Sequence, residues 1–323
     1  MRLEELFRYR SGWMGFAILW IMFFHCGATV ENPVLRIFKQ LGYGGVDLFV
    51  FASGIGCQYS LDKNSEPLAF LRRRAERLLP TWWIFLFVWQ LLRDQQGLEL
   101  PPQSLLGNFF CIQAFVDWHF CFNWYISALP VLYLLAPYFH SLINRNVSPK
   151  RFLIAEFGLL ALTAAFINND YLVLMTRLPI FFAGFYCAAI AKHGALFNRA
   201  SAIVLFGATV LGASVLIFCL RTYPELTLSI YGVWWYPFLL ITPGLCFGFS
   251  LLLNRLPLIN KLLSAIGGLS FEIYLVHILL FNIILHSKLQ LQNWYWFALL
   301  PIILIGSLAL RGIKNFVVKG FCR

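Results

Sequence analysis

Apolar stretches long enough to cross a bilayer recur from one end of this chain to the other. At roughly 17–25 residues per crossing, they place helices near 12–30, 42–60, 80–93, 124–143, 152–168, 171–191, 200–220, 229–253, 266–287 and 293–310. The third is short. Of 323 residues, 60% are hydrophobic and only 12% charged, against about 25% charged in a soluble domain. One globular core cannot absorb so many runs. The expected fold is all-α, a polytopic membrane helix bundle of about ten transmembrane helices. It forms a single integral-membrane domain over residues 1–323, with no appended soluble domain. The 33 phenylalanines and 11 tryptophans suit lipid-facing surfaces and interfacial belts.

The net charge of +11 follows the loops. Basic residues in short loops between apolar runs set topology beside an anionic leaflet, which argues against nucleic acid as a partner. With a cytoplasmic N-terminus, 19 of the 25 basic residues fall on the inner side. Only Arg36, Lys39, Arg93, Arg177, Arg221 and Lys288 are left outside. Both termini are expected in the cytoplasm, in a multi-pass protein of the cell (plasma or inner) membrane. No small-residue cleavage site follows the first run, so it reads as a retained helix. The eight cysteines form no CxxC pair and read as packing residues. Cys111 and Cys121 share a loop in which a disulfide is feasible if that side is oxidising.

Ionisable residues inside the apolar runs need an explanation, because each is costly in hydrocarbon. His25 ends the run MGFAILWIMFFHCG, and Asp47 in GYGGVDLFVFASG lies at a similar depth on the returning helix. A carboxylate there can hold the imidazole and raise its basicity. His277 in GGLSFEIYLVH and Arg177 reach the same outer layer, and Glu272 lies deeper. One such residue alone is compatible with a structural hydrogen bond; four together suggest a lined cavity. The stretch LRRRAERLLP at 71–80 serves topology, and it is also suited to phosphate, because guanidinium presents a planar, permanently charged fork. Helical spacing puts Arg73 or Arg74 on one face with Arg77.

These stretches resemble the membrane acyltransferase 3 family. The likeness covers a histidine closing the first helix (His25) and a GVDLFF-SG signature (Gly45, Val46, Asp47, Leu48, Phe49, Ser53, Gly54). It continues through RR-x-x-R-x-x-P (Arg73, Arg74, Arg77, Pro80) and WY with Y-x-x-x-P (Trp124, Tyr125, Tyr133, Pro137). It ends with R-x-P-x-F-x-x-G (Arg177, Pro179, Phe181, Gly184) and S-x-x-I-Y-L-x-H (Ser270, Ile273, Tyr274, Leu275, His277). Six such stretches in order are specific. One departs: the arginine expected eleven residues before the histidine is Met14. Arg10 sits one turn earlier, about 60° around the helix from His25.

The resemblance implies transfer of an acyl group, usually acetyl, from a cytoplasmic acyl-CoA co-substrate to a hydroxyl of a glycan, lipid-linked saccharide or other envelope acceptor. Such a reaction needs a base for the alcohol proton and a donor for the developing oxyanion. His25, oriented by Asp47, is the expected base; Arg177, His277 or Tyr274 are the oxyanion candidates. Arg73, Arg74 and Arg77, with Arg10, are expected to hold donor phosphates, and no permanently bound cofactor or metal is expected. From Arg10 to His25 is about 22 Å of helix axis, so the donor's arm must thread a channel or the acyl group be relayed. A transporter using the same polar layer is the alternative, although no paired broken helices in two halves support it. Trp118, Trp124, Trp234, Trp235, Trp294 and Trp296 near the outer surface read as an interfacial belt that is also able to stack on sugars.

Overall fold

Prolines punctuate the chain and start many of its helices. A computed structural model describes residues 2–94, 100–118, 121, 123–145, 147–167, 169–222, 233–286 and 293–321. The helices are α1 Leu3–Leu6, α2 Arg10–His25, α3 Pro33–Gln40, α4 Gly45–Lys63, α5 Pro67–Asp94, α6 Pro102–Phe109, α7 Gln113–Val116 and α8 Trp124–Arg145. They continue as α9 Pro149–Ala164, α10 Leu172–Met175, α11 Arg177–Lys192, α12 Arg199–Thr222, α13 Pro237–Arg255, α14 Pro257–Gly268, α15 Ser270–His286 and α16 Asn293–Phe321. Pro33, Pro102, Pro149, Pro237 and Pro257 occupy first-turn positions, where proline's missing N–H costs nothing and its fixed φ favours the helix.

Every expected segment overlaps a helix, and among the described residues there is no strand. Among the described residues five helices are long and apolar enough to cross a membrane, or six if the bent pair α14–α15 counts as one span. The expected membrane helix bundle is thus present, and length and composition alone carry five or six of the roughly ten expected crossings. Two boundaries differ from the sequence reading. The expected short helix at 80–93 is the outer half of α5, which runs 28 residues straight through Pro80. Proline reads as a boundary in sequence, yet its cost is one lost backbone bond and a local clash that a long, packed helix can absorb. The expected helix at 266–287 breaks instead after Gly268, and its two pieces are bent by 68°. Cys111 and Cys121 are both free thiols.

Glycine contacts set how closely the central helices approach. α4 and α11 run in the same direction and cross at Gly54 and Gly184. A methyl group on Gly54 would fall on the Phe181 carbonyl oxygen, and one on Gly184 on that of Phe51. α2 and α14 meet the same way, Gly15 against the Leu263 backbone and Gly267 against the Ser11 carbonyl. With little hydrophobic drive between helices in lipid, backbone approach through small residues is what holds such pairs together. By contrast α12 buries only Gly212 and Leu216 and turns an apolar face outward.

This packing yields a stability prediction. Gly184→Leu should push α4 from α11 and lower the thermal midpoint of the detergent-solubilised protein, by the equivalent of about 1–3 kcal/mol for overpacking. Gly207→Leu, where nothing lies within 4 Å of the added carbon, should leave it unchanged. Equal midpoints for the two variants in a thermal-shift assay would refute the close crossing.

Candidate active site

The Gly54–Gly184 crossing fixes what lies two turns before it. Asp47 and Arg177 each precede their glycine by seven residues, so the same two faces bring them together. The Arg177 Nη1 lies 3.1 Å from Asp47 Oδ1, and both side chains are at most 1% exposed. The contact is an ion pair rather than an aligned hydrogen bond, and Arg177 Nε and Nη2 have no acceptor. Nη1 also donates to Thr176 Oγ1 at 3.4 Å. The guanidinium carbon lies 4.0 Å from the Trp235 ring centroid and 5.6 Å from that of Trp124. A desolvated cation over an indole gains about 2 kcal/mol, which helps offset its removal from water.

The expected contact between Asp47 and His25 is therefore not formed. Asp47 is committed to Arg177, and the partner of His25 is His277, whose Nε2 lies 3.0 Å from His25 Nδ1. The rings are near parallel, 20° apart. His277 is fully buried, and its Nδ1 lies 2.9 Å from the Ile273 carbonyl oxygen. A carbonyl only accepts, so His277 Nδ1 carries the proton. In a neutral pair its Nε2 must then accept from His25 Nδ1, which leaves His25 Nε2 unprotonated. His25 is exposed, and what it is exposed to is a cavity inside the bundle.

That outer cavity, about 410 Å³, is lined by His25, Arg177, Tyr43, Trp118, Trp124 and Trp235 among others. Three of the expected belt tryptophans thus face inward. Trp234 is buried, its carbonyl taking a bond from Tyr43; Trp296 packs on Phe281. The Trp294 side chain lies outside the described residues. Tyr274, an oxyanion candidate, has its hydroxyl committed to Asn123 Oδ1 at 2.9 Å.

A second cavity of about 280 Å³ opens deeper. Its walls carry Arg10, Arg74, Arg77, Arg311 and Lys314, with Glu272 the acidic residue. Arg73 is not among them; it donates to the Ser60 and Asn64 carbonyls and so closes the end of α4. One step along α5 separates an arginine that faces the cavity from one that does not, a distinction residue spacing cannot make. Arg311 and Lys314 escaped the sequence reading because, at the far end of the chain, they looked like topology signals. Their spacing of three put them on one face, and that was the available clue. Arg311 binds both Glu272 oxygens, at 3.2 and 2.9 Å, and the Gly268 carbonyl at the break. Arg74 donates to the Gly56 carbonyl at 3.2 Å and lies over Phe70 and Tyr133.

The cavities share a boundary. Ile21, Val46 and Tyr274 line both. The arrangement sets a cationic chamber behind a narrow partition from a chamber holding one open imidazole, one buried guanidinium and a wall of indoles. Among the described residues no group of three or more His, Cys, Asp or Glu side chains is placed to hold a metal ion.

Compared with known proteins, the chain matches a family model described as an acyltransferase domain over residues 13–312. No curated protein and no solved structure is significantly similar to it. The family match covers the outer cavity, all of the inner one but Arg10, Ser11 and Lys314, and nearly the whole sequence: this membrane protein belongs to the membrane acyltransferase 3 family and is an acyl-transferring enzyme.

Proposed function

We propose that the protein moves an acyl group, acetyl in the first instance, from a cytoplasmic acyl-CoA to a hydroxyl of a cell-envelope glycan or lipid-linked saccharide. The observation that carries this reading is the tautomer set by the Ile273 carbonyl: it leaves an unprotonated His25 Nε2 in the outer cavity. His25 takes the acceptor's hydroxyl proton as the oxygen attacks the thioester carbonyl. The tetrahedral intermediate then expels the CoA sulfur, which recovers that proton from His25. His277 is a positioning residue; it orients His25 and accepts from its Nδ1. Arg177, with two nitrogens lacking acceptors on the wall of the same cavity, is the fixed positive charge suited to the developing oxyanion. Asp47 acts through Arg177, keeping it in place.

The cations of the inner cavity suit the phosphates of CoA, and Tyr274 marks the point where the donor's arm would pass between chambers. Trp118 and Trp124, both only partly buried, offer flat apolar surface to a sugar ring. A soluble cytoplasmic donor fits the orientation drawn from the basic loops, with both termini inside the cell and the cavity cations on that side, in the plasma or inner membrane. Lipid covers the apolar faces of α12 and α16.

Membranes containing the protein, incubated with labelled acetyl-CoA, should yield a labelled saccharide; label found only in free acetate would refute the transfer. In that assay His25→Gln should lose about 10²–10⁴-fold in kcat, the usual contribution of a general base. His277→Gln should lose less, because the base remains but its tautomer is no longer imposed. A His25→Gln enzyme close to normal would overturn the assignment.

The donor site makes a separate prediction. Arg74→Ala with Arg77→Ala should raise the KM for acetyl-CoA with little change in kcat, since phosphate contacts are made in ground and transition states alike. Arg73→Ala should leave that KM unchanged. A KM that rises for Arg73→Ala and not for the pair would return phosphate binding to the other side of the cluster.

A further inference from the structure

One side chain of the inner cavity is used by nothing described so far. Thr81 lies on α5 four residues beyond Arg77, one helical turn and about 6 Å deeper along the axis. It is 0% exposed and lines the cavity, and its Oγ1 has no hydrogen-bond partner. Thr242 on α13 is also buried and unpaired, but it does not line the cavity. Thr163, Thr176, Thr209 and Thr222 each donate to a carbonyl three or four residues back in their own helix. Thr81 has the same option and does not take it. A buried hydroxyl left unpaired costs stability, and the cavity is the open space beside it. The same cavity is lined by the apolar side chains of Phe49, Ala52 and Leu129. A ligand segment passing between the guanidiniums of Arg74 and Arg77 and the partition at Tyr274 therefore meets a wall of apolar and hydroxyl-bearing side chains, on which the Thr81 Oγ1 is buried and unpaired.

We infer that Thr81 binds an amide of the donor's pantetheine arm, and so selects donors by their arm rather than by their phosphates. The inference rests on the acyl-CoA reading above. A hydroxyl both donates and accepts, and beyond the pantoyl hydroxyl near its phosphate end the arm is a thin chain whose polar groups are two amides.

The test is direct binding to the purified full-length protein, with CoA and with adenosine 3′,5′-bisphosphate, which has phosphates and no arm. Thr81→Val should weaken CoA about ten-fold, the scale of one hydrogen bond, and leave the bisphosphate unchanged. Thr81→Ser should bind both normally. The melting temperature of unliganded Thr81→Val should not fall, because an unpaired polar atom is removed. Unchanged CoA affinity in Thr81→Val, equal weakening of both ligands, or a lowered melting temperature would each overturn the inference. If the unaltered protein binds neither ligand, the acyl-CoA reading itself fails and takes this one with it. Binding of both by the unaltered protein, with only the Thr81 effect missing, leaves that reading standing and removes this one.

Discussion

A guanidinium with almost no exposed surface can persist in a membrane bundle only where a counter-charge is fixed beside it, and Arg177 has one in Asp47. Removing one partner of such a pair leaves an isolated buried charge, at a cost of about 3–5 kcal/mol. Neither residue can reach the other unless α4 and α11 approach at backbone distance, which is why Gly54 and Gly184 are needed two turns away. The indoles of Trp124 and Trp235 complete the cage, stacked at 24° to each other. The outer cavity is bounded by this cage on one side and by the His25–His277 contact on the other. Helix crossings thus set one part of its walls, and the connecting segments that carry Tyr43, Trp118 and Trp235 set the rest.

The same logic applies to α2. It carries Arg10 at one end and His25 at the other, and it is held by glycine contacts on two sides, with α14 through Gly15 and Gly267, and with the start of α4 and the turn before it through Gly45 and Gly42. A helix fixed along its length is a rigid ruler between the two chambers. Its neighbour α14 ends at Gly268 beside the inner cavity, so the first residues of α15, Ser270, Phe271 and Glu272, line that cavity too. Arg311 ties the break down through Gly268 and Glu272.

How far the sequence carried the reading differs by residue. The helices were legible, because apolar runs of bilayer length have few other solutions. The polar layer was legible as well: a buried ionisable residue announces itself by its cost, and His25, Asp47, His277 and Arg177 all lie at the outer site. Their pairing was not legible. Depth along a helix can be counted, but rotation about its axis depends on which faces cross. Asp47 and His25 were at similar depth and pointed to different neighbours. The same blindness joined Arg73 to Arg74 and Arg77, one residue apart yet on different faces. Arg311 and Lys314 were missed for a different reason: a cation at a helix end has a sufficient explanation in topology, and nothing local adds a second.

Met14 gives the sharpest case of a local departure with a structural answer. Where the family resemblance leads one to expect an arginine, the chain has an apolar side chain on the inner cavity wall, and Arg10 lines that same cavity a turn earlier. The Arg10 head lies over Gly56, where an added methyl carbon would be 3.3 Å from Nη1. The missing side chain at Gly56 is thus what gives the guanidinium room. Moving the charge one turn shifts it about 6 Å along the axis, toward the N-terminal end of α2 and the company of Arg74 and Arg77. The like charges there repel one another, and a polyanionic ligand would relieve that repulsion more fully than it would beside a single arginine. Met14 meanwhile leaves the passage toward Tyr274 apolar. The consequence is a sharper division of the chain's interior: cations gathered where phosphates would enter, an uncharged sleeve beyond them, and the imidazole and guanidinium of the outer cavity kept apart from both.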